Sequence, residues 1–118
     1  MSLSKKTILI LGGSGFIGSN LANYLSKKHN IIIVSKKNRI KIKNKKIKII
    51  KTDITKDKNI LNLFNKLTNI YVINCSGYID HRNIEENSKS KVILNHYTLI
   101  QKIFKKAKFK NIKKFIQI

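Results

Sequence analysis

The sequence predicts an α/β fold, a parallel sheet with helices on both faces. Three observations lead there. Short apolar runs recur along the chain, and most are followed by a segment with apolar residues at helical spacing. The runs are continuous rather than alternating, as in strands buried on both faces. The first run enters its helix through a turn with four glycines in the seven positions 12–18.

The elements follow in order. Residues 7–11, TILIL, form the first strand. Residues 15–28 form the first helix, with Ile17, Leu21 and Leu25 on one face. Four β-branched residues at 31–34 make the second strand, and 47–50 the third. Thr55 is placed to cap a helix whose apolar face is Ile60, Leu63, Phe64 and Leu67. Residues 71–74 are the fourth strand, and 78–90 read as a polar loop. The longest helix spans 91–107, with Val92, His96, Leu99, Ile100, Ile103 and Ala107 on one stripe. A fifth strand begins at Phe115. The alternating RIKIKNKKIKIIK at 39–51 also fits a hairpin turning near Asn44, although a solvated connection before the third strand is preferred.

The glycine turn carries the chemistry. Gly12-Gly13-Ser14-Gly15-Phe16-Ile17-Gly18 fits two overlapping glycine registers, each between a strand and a helix. That is the context a dinucleotide fingerprint requires. Gly12 is free to adopt a backbone angle that a side chain would forbid. Gly15, without a Cβ, lets a pyrophosphate approach the main chain. Gly18 lets helix and strand pack closely. Amides at the helix start, with the helix dipole behind them, then hold phosphate.

Composition bounds the rest. A chain of 118 residues is one domain, and 42% hydrophobic residues is ordinary for a globular one. No apolar run reaches membrane-spanning length, and no convincing signal peptide is present, so a cytoplasmic protein is expected. A single cysteine excludes an internal disulfide. The net charge is +21, from 26 basic and 5 acidic residues. The lysines are spread along the chain without interleaved aromatics. They read as a general basic bias that attracts nucleic acid only non-specifically.

The charge also bears on the cofactor. NAD-binding folds hold the ribose hydroxyls with a carboxylate near the end of the second strand. Here that strand ends at Ser35, followed by Lys36-Lys37-Asn38-Arg39, with no carboxylate. A hydroxyl and cations, with Ser35, Lys36 and Arg39 as candidates, suit a 2′-phosphate. NADP is therefore expected in preference to NAD.

These residues resemble a known family. GGSGFIGSNL is similar to the fingerprint of the extended short-chain dehydrogenase/reductases, the NAD-dependent epimerase/dehydratase group. Asp53-Ile54 is similar to the family's Asp-hydrophobic pair, which the resemblance places at the adenine. Cys75-Ser76-Gly77 is similar to its small-residue turn beside the ribose, with Cys and Ser where alanines are usual. Asn95 stands where the family's helix asparagine falls, though Thr98-Leu99 replaces the Gly-Thr expected after it. The resemblance implies a Rossmann-like, doubly wound parallel sheet in the order 3-2-1-4-5. It also implies a nucleotide-sugar epimerase, dehydratase or reductase as the parent activity.

Family members are longer, two-lobed enzymes. Their catalytic Ser or Thr follows the fifth strand, and their Tyr-x-x-x-Lys pair lies further on. The expectation is therefore a dinucleotide-binding domain over 1–118, truncated after the fifth strand. It lacks the substrate lobe and does not turn over by itself. Tyr24 and Lys28 match the Tyr-x-x-x-Lys spacing but lie on the first helix, where Tyr24 is expected to pack at the border of the buried face. Cys75 is expected to be a small apolar residue rather than a nucleophile. His29 and His81 are expected to be exposed and His96 packed. No metal-ligand spacing is present. An exposed fifth-strand edge would favour self-association. Two rival readings are a non-catalytic dinucleotide sensor and a basic nucleic-acid-binding protein on the same scaffold.

Overall fold

β1 (Thr7–Leu11) occupies the centre of a five-stranded sheet, flanked by β2 (Asn30–Ser35) and β4 (Ile70–Asn74). β3 (Lys48–Lys51) and β5 (Ile112–Gln117) form the two edges, giving the order β3-β2-β1-β4-β5 with all pairings parallel. This is the expected Rossmann-like order. The computed structural model describes residues 5–12, 15–36, 46–54, 56–76, 99–106 and 112–118. Its helices are α1 (Phe16–Leu25), α2 (Asp57–Lys66) and α3 (Leu99–Lys106).

Strand periodicity sorts the core into two layers. Successive strand side chains point to opposite faces. Leu9, Leu11, Ile32, Val34 and Val72 therefore join Leu63 and Phe64 of α2 and Leu99 and Ile103 of α3. Ile8, Ile10, Ile31, Ile33 and Ile73 pack on the other face with Ala22 of α1. β1 feeds both clusters, which is why its apolar run does not alternate.

Several boundaries differ from expectation. α1 begins one residue later and ends three earlier, with Gly15 as its N-cap and Ser26 as its C-cap. α2 is N-capped by Lys56 without a side-chain hydrogen bond, while Thr55 lies outside the described residues. Leu63 and Phe64 of α2 are buried as expected, with Leu67 partly so. β3 pairs in parallel with β2, as a third strand reached by a connection should. The alternative hairpin turn near Asn44 falls outside the described residues. So do His81 and the long helix before Leu99, with Val92, Asn95 and His96. β5 starts three residues earlier than expected, at Ile112. Its register against β4 slips between Ile70 and Tyr71, where Lys113 is passed over.

Three side chains also differ. Ile17 is exposed, whereas Leu21 and Leu25 of the same expected face pack against the core. Tyr24 is exposed rather than packed at the helix border, and Lys27 Nζ lies over its ring, 5.8 Å from the centroid. His29 is half-buried rather than exposed, because its Nδ1 accepts the Lys6 amide at 3.2 Å. No described helix is long and apolar enough to cross a membrane.

Candidate functional site

The carboxyl ends of β1, β2 and β4 converge on Gly12. The Gly12 amide donates to Val34 O of β2 at 2.9 Å. The Cys75 amide, just past β4, donates to Leu11 O at 2.8 Å. Gly12 has φ +75°, a region that disfavours side chains. A Cβ there would stand 2.7 Å from Ser76 Cα and 2.8 Å from Ser76 N. The exit of β1 is thus in backbone contact with the exit of β4, and only glycine fits between them.

Gly15 is different. It is exposed, and among the described residues a Cβ built on it would meet only Gly12 O, at 3.7 Å. Its φ of −75° suits any residue. Packing among the described residues therefore does not require glycine here. The Gly15 amide donates to Gly12 O at 3.3 Å, closing the turn. α1 begins immediately after, with no side-chain cap and no acidic residue in its first turn. Ser19 N is bonded back to Gly15 O at 2.9 Å, so the amides of Phe16, Ile17 and Gly18 precede that first intrahelical bond. Phe16 is 85% exposed and Ile17 51%, high for bulky apolar residues. Gly18 is buried, as close packing of helix on strand demands.

The exit of β4 is held by a polar cluster that was not anticipated from the sequence. Asn74 is fully buried. Its Nδ2 donates to Gln117 Oε1 of β5 at 2.8 Å. Its Oδ1 accepts the Ser76 amide at 3.0 Å and also the Ser76 hydroxyl. An asparagine closing the run Ile-Tyr-Val-Ile was the available signal, because a buried amide must find partners. Cys75 is half-buried, and burial pushes its thiol above the ordinary range. That makes it a poor thiolate nucleophile. No cluster of metal-ligating side chains occurs among the described residues.

The other expected residues divide. Ser35 is buried at the end of β2, with its carbonyl accepting the Thr52 amide at 3.0 Å, while Lys36 beside it is exposed. Asp53 is half-buried, and its carbonyl accepts Asn59 Nδ2 at 2.7 Å. Ile54 is buried in the layer with α2 and α3. Gly12, Gly15, Phe16, Ile17, Gly18, Cys75 and Ser76 gather at the ends of β1 and β4. Ser35 and Lys36 are at the end of β2, and Asp53 and Ile54 follow β3. Gly13, Ser14, Arg39, Gly77 and Asn95 lie outside the described residues. Tyr24 sits eight residues along α1 from Phe16, about 12 Å from the glycine turn at the helical rise.

The model of the NAD dependent epimerase/dehydratase family matches residues 8–118. The chain belongs to that family. Among solved structures, it is similar to the Bordetella bronchiseptica enzyme WbmG in complex with NAD, at 18% identity and a TM-score of 0.78. That match covers 97% of this chain and 37% of the other. It is also similar to a UDP-glucose 4-epimerase from Thermotoga maritima, solved with UDP-glucose. There the identity is 21%, the TM-score 0.77, and the coverage 94% of this chain and 37% of that one. A Leptospira borgpetersenii short chain dehydrogenase with bound NAD+ matches at 25% identity and a TM-score of 0.70, covering 88% of this chain and 46% of its own. The chain spans less than half the length of each. A comparison with curated proteins found no significant match.

Proposed function

We propose that these 118 residues are the dinucleotide-binding unit of an epimerase/dehydratase-type oxidoreductase acting on a nucleotide sugar. One observation carries the reading. Gly12 is demanded by the fold, whereas Gly15, the N-cap of α1 without a side-chain cap bond, has among the described residues only Gly12 O within reach of an added Cβ, at 3.7 Å. A glycine that packing does not need is explained by a ligand that must come close to the backbone. Family membership and the neighbours solved with NAD or UDP-glucose support the same reading.

The residues take distinct tasks in this proposal. The amides of Phe16, Ile17 and Gly18 bind the pyrophosphate, and Gly15 gives it room. The Phe16 and Ile17 side chains offer the bound molecule an apolar flank and exclude water there. Gly13 and Ser14 join this site through the family fingerprint. Ser76, oriented by Asn74, faces the ribose together with Cys75 and Gly77. Asp53 and Ile54 take the adenine end, and Asn95 is assigned to the cofactor site by its match to the family's helix asparagine. When bound, the nicotinamide supplies a hydride acceptor. The groups that move the proton and hold the sugar belong to parts of family members that this chain does not align with.

NADP is the preferred cofactor. No acidic residue precedes Asp53 anywhere in the chain, and β2 ends at Ser35 and is followed by Lys36, Lys37 and Arg39. A 2′-phosphate carries about two negative charges, which nearby cations favour. Calorimetric titration with NADP and NAD tests both parts. Binding of either dinucleotide, with NADP tighter, is expected. No binding of either overturns the site, and NAD at least tenfold tighter overturns the preference.

A further inference from the structure

All five acidic residues lie between positions 53 and 86. The first 52 residues hold 13 Lys and Arg and no Asp or Glu. Nine of those cations fall in residues 36–51, the segment leading from the end of β2 through edge strand β3. Lys36, Lys46, Lys48 and Lys51 are all exposed. Among the described strands β3 pairs only with β2, which leaves its outer edge unpaired.

Magnitudes decide what such an edge suits. Lysines do protect an edge strand from pairing with other strands. That task does not require the exclusion of every carboxylate over 52 residues. Like charges packed together repel and cost stability. A dinucleotide brings about four negative charges at most, about two on its pyrophosphate and about two on a 2′-phosphate. It therefore leaves most of the +21 uncompensated. A chain of phosphates does not.

We propose that the β3 edge is an electrostatic docking surface for a nucleic-acid backbone. A membrane fits less well, because attachment there combines cations with a free apolar face. Among the described residues of this edge, Ile47 is buried and Ile50 packs against the core, leaving Ile49 as the exposed isoleucine. The opposite edge is basic too, at Lys105, Lys113 and Lys114. It also exposes Phe104, Ile116 and Ile118, the mark of a surface covered by protein. No Phe, Tyr or Trp occurs between positions 25 and 63. Bases find no ring from this stretch of chain to stack on, so the surface reads phosphate and not sequence.

The test measures binding of the full chain to labelled 20-mer single strands of RNA and DNA by fluorescence anisotropy across a salt series. Log affinity is expected to fall linearly with log salt, with homopolymers of different base within about threefold of one another. Each lysine–phosphate pair contributes roughly 0.7 to that slope. Replacing Lys46, Lys48 and Lys51 together by Gln is therefore expected to reduce it by about two. Replacing Lys105, Lys113 and Lys114 by Gln leaves it unchanged. Equal reductions in both triple variants overturn the proposal, since the charge would then act diffusely. A strong base preference overturns it as well. So does failure to bind either oligonucleotide, whether or not phosphatidylcholine vesicles containing phosphatidylserine are bound. Circular dichroism of both variants verifies that each is folded. The outcome is independent of dinucleotide binding, which the Lys46, Lys48 and Lys51 substitutions leave in place.

Discussion

The side-chain amide of Asn74 bridges two strand exits, donating to Gln117 Oε1 at 2.8 Å while its own oxygen holds Ser76. Because Ser76 is the residue pressed against Gly12, one buried amide links β5, β4 and the glycine turn. Removing it leaves the Ser76 amide without its acceptor in a half-buried site. Asn74→Ala is expected to cost about 2–4 kcal/mol, combining a cavity with unsatisfied partners. Gln117→Leu costs about 1 kcal/mol, since Gln117 is exposed. Urea unfolding of both single variants and the double variant checks this. A coupling of at least about 0.5 kcal/mol is expected for residues in one network.

Gly12→Ala is expected to destabilise the fold by about 2–4 kcal/mol, the sum of two strains. The added methyl meets Ser76 backbone at 2.7 Å, and φ is +75°. Left-handed strain contributes roughly 1–2 kcal/mol and the forced shift a similar amount. The effect is read as a lower urea midpoint with an unchanged slope.

Cys75 provides a pH-dependent readout. Burial raises its thiol pKa in the folded state, so the folded protein holds this proton more tightly than the unfolded chain. The stability contribution is therefore complete below the ordinary thiol range and declines as pH rises through the raised value. Unfolding midpoints measured from neutral to alkaline pH are expected to fall over that window, and to fall less in Cys75→Ala. Alkylation by iodoacetamide at neutral pH is expected to be slower than for a free thiol, because little thiolate is present.

Lys36→Glu tests the discrimination at the end of β2. An exposed charge pair contributes up to about 1 kcal/mol. NADP is expected to bind roughly fivefold more weakly to this variant, with NAD unchanged or tighter. Equal weakening of both cofactors would remove Lys36 from the 2′-phosphate site.

Much of this architecture was readable because its determinants are local. The run Thr7-Ile8-Leu9-Ile10-Leu11 ending in Gly12 specifies a buried strand and a turn within a few residues. The four β-branched residues from Ile31 to Val34 do the same for β2. The Asn74–Gln117 pair joins residues 43 apart, and only the β4–β5 register brings them together. Lys113 and Lys114 concealed the start of β5, since an edge strand tolerates exposed charge that a central strand does not. The burial of Ser35 was equally hidden, because it depends on β3 closing over β2. The left-handed backbone of Gly12 is legible in the glycine turn, whereas its contact with Ser76 emerges only from the surrounding atoms.

Dinucleotide titration of Gly15→Ala, run beside its unfolding curve, separates ligand from fold at the glycine turn. The backbone at Gly15 accepts alanine, and among the described residues the new methyl meets only Gly12 O at 3.7 Å. Stability is expected to be unchanged or raised by up to about 1 kcal/mol, with NADP and NAD affinity reduced about tenfold or more as the methyl displaces the phosphate. Unchanged affinity in a folded variant would contradict the assignment, because phosphate would then not be approaching the backbone at this turn.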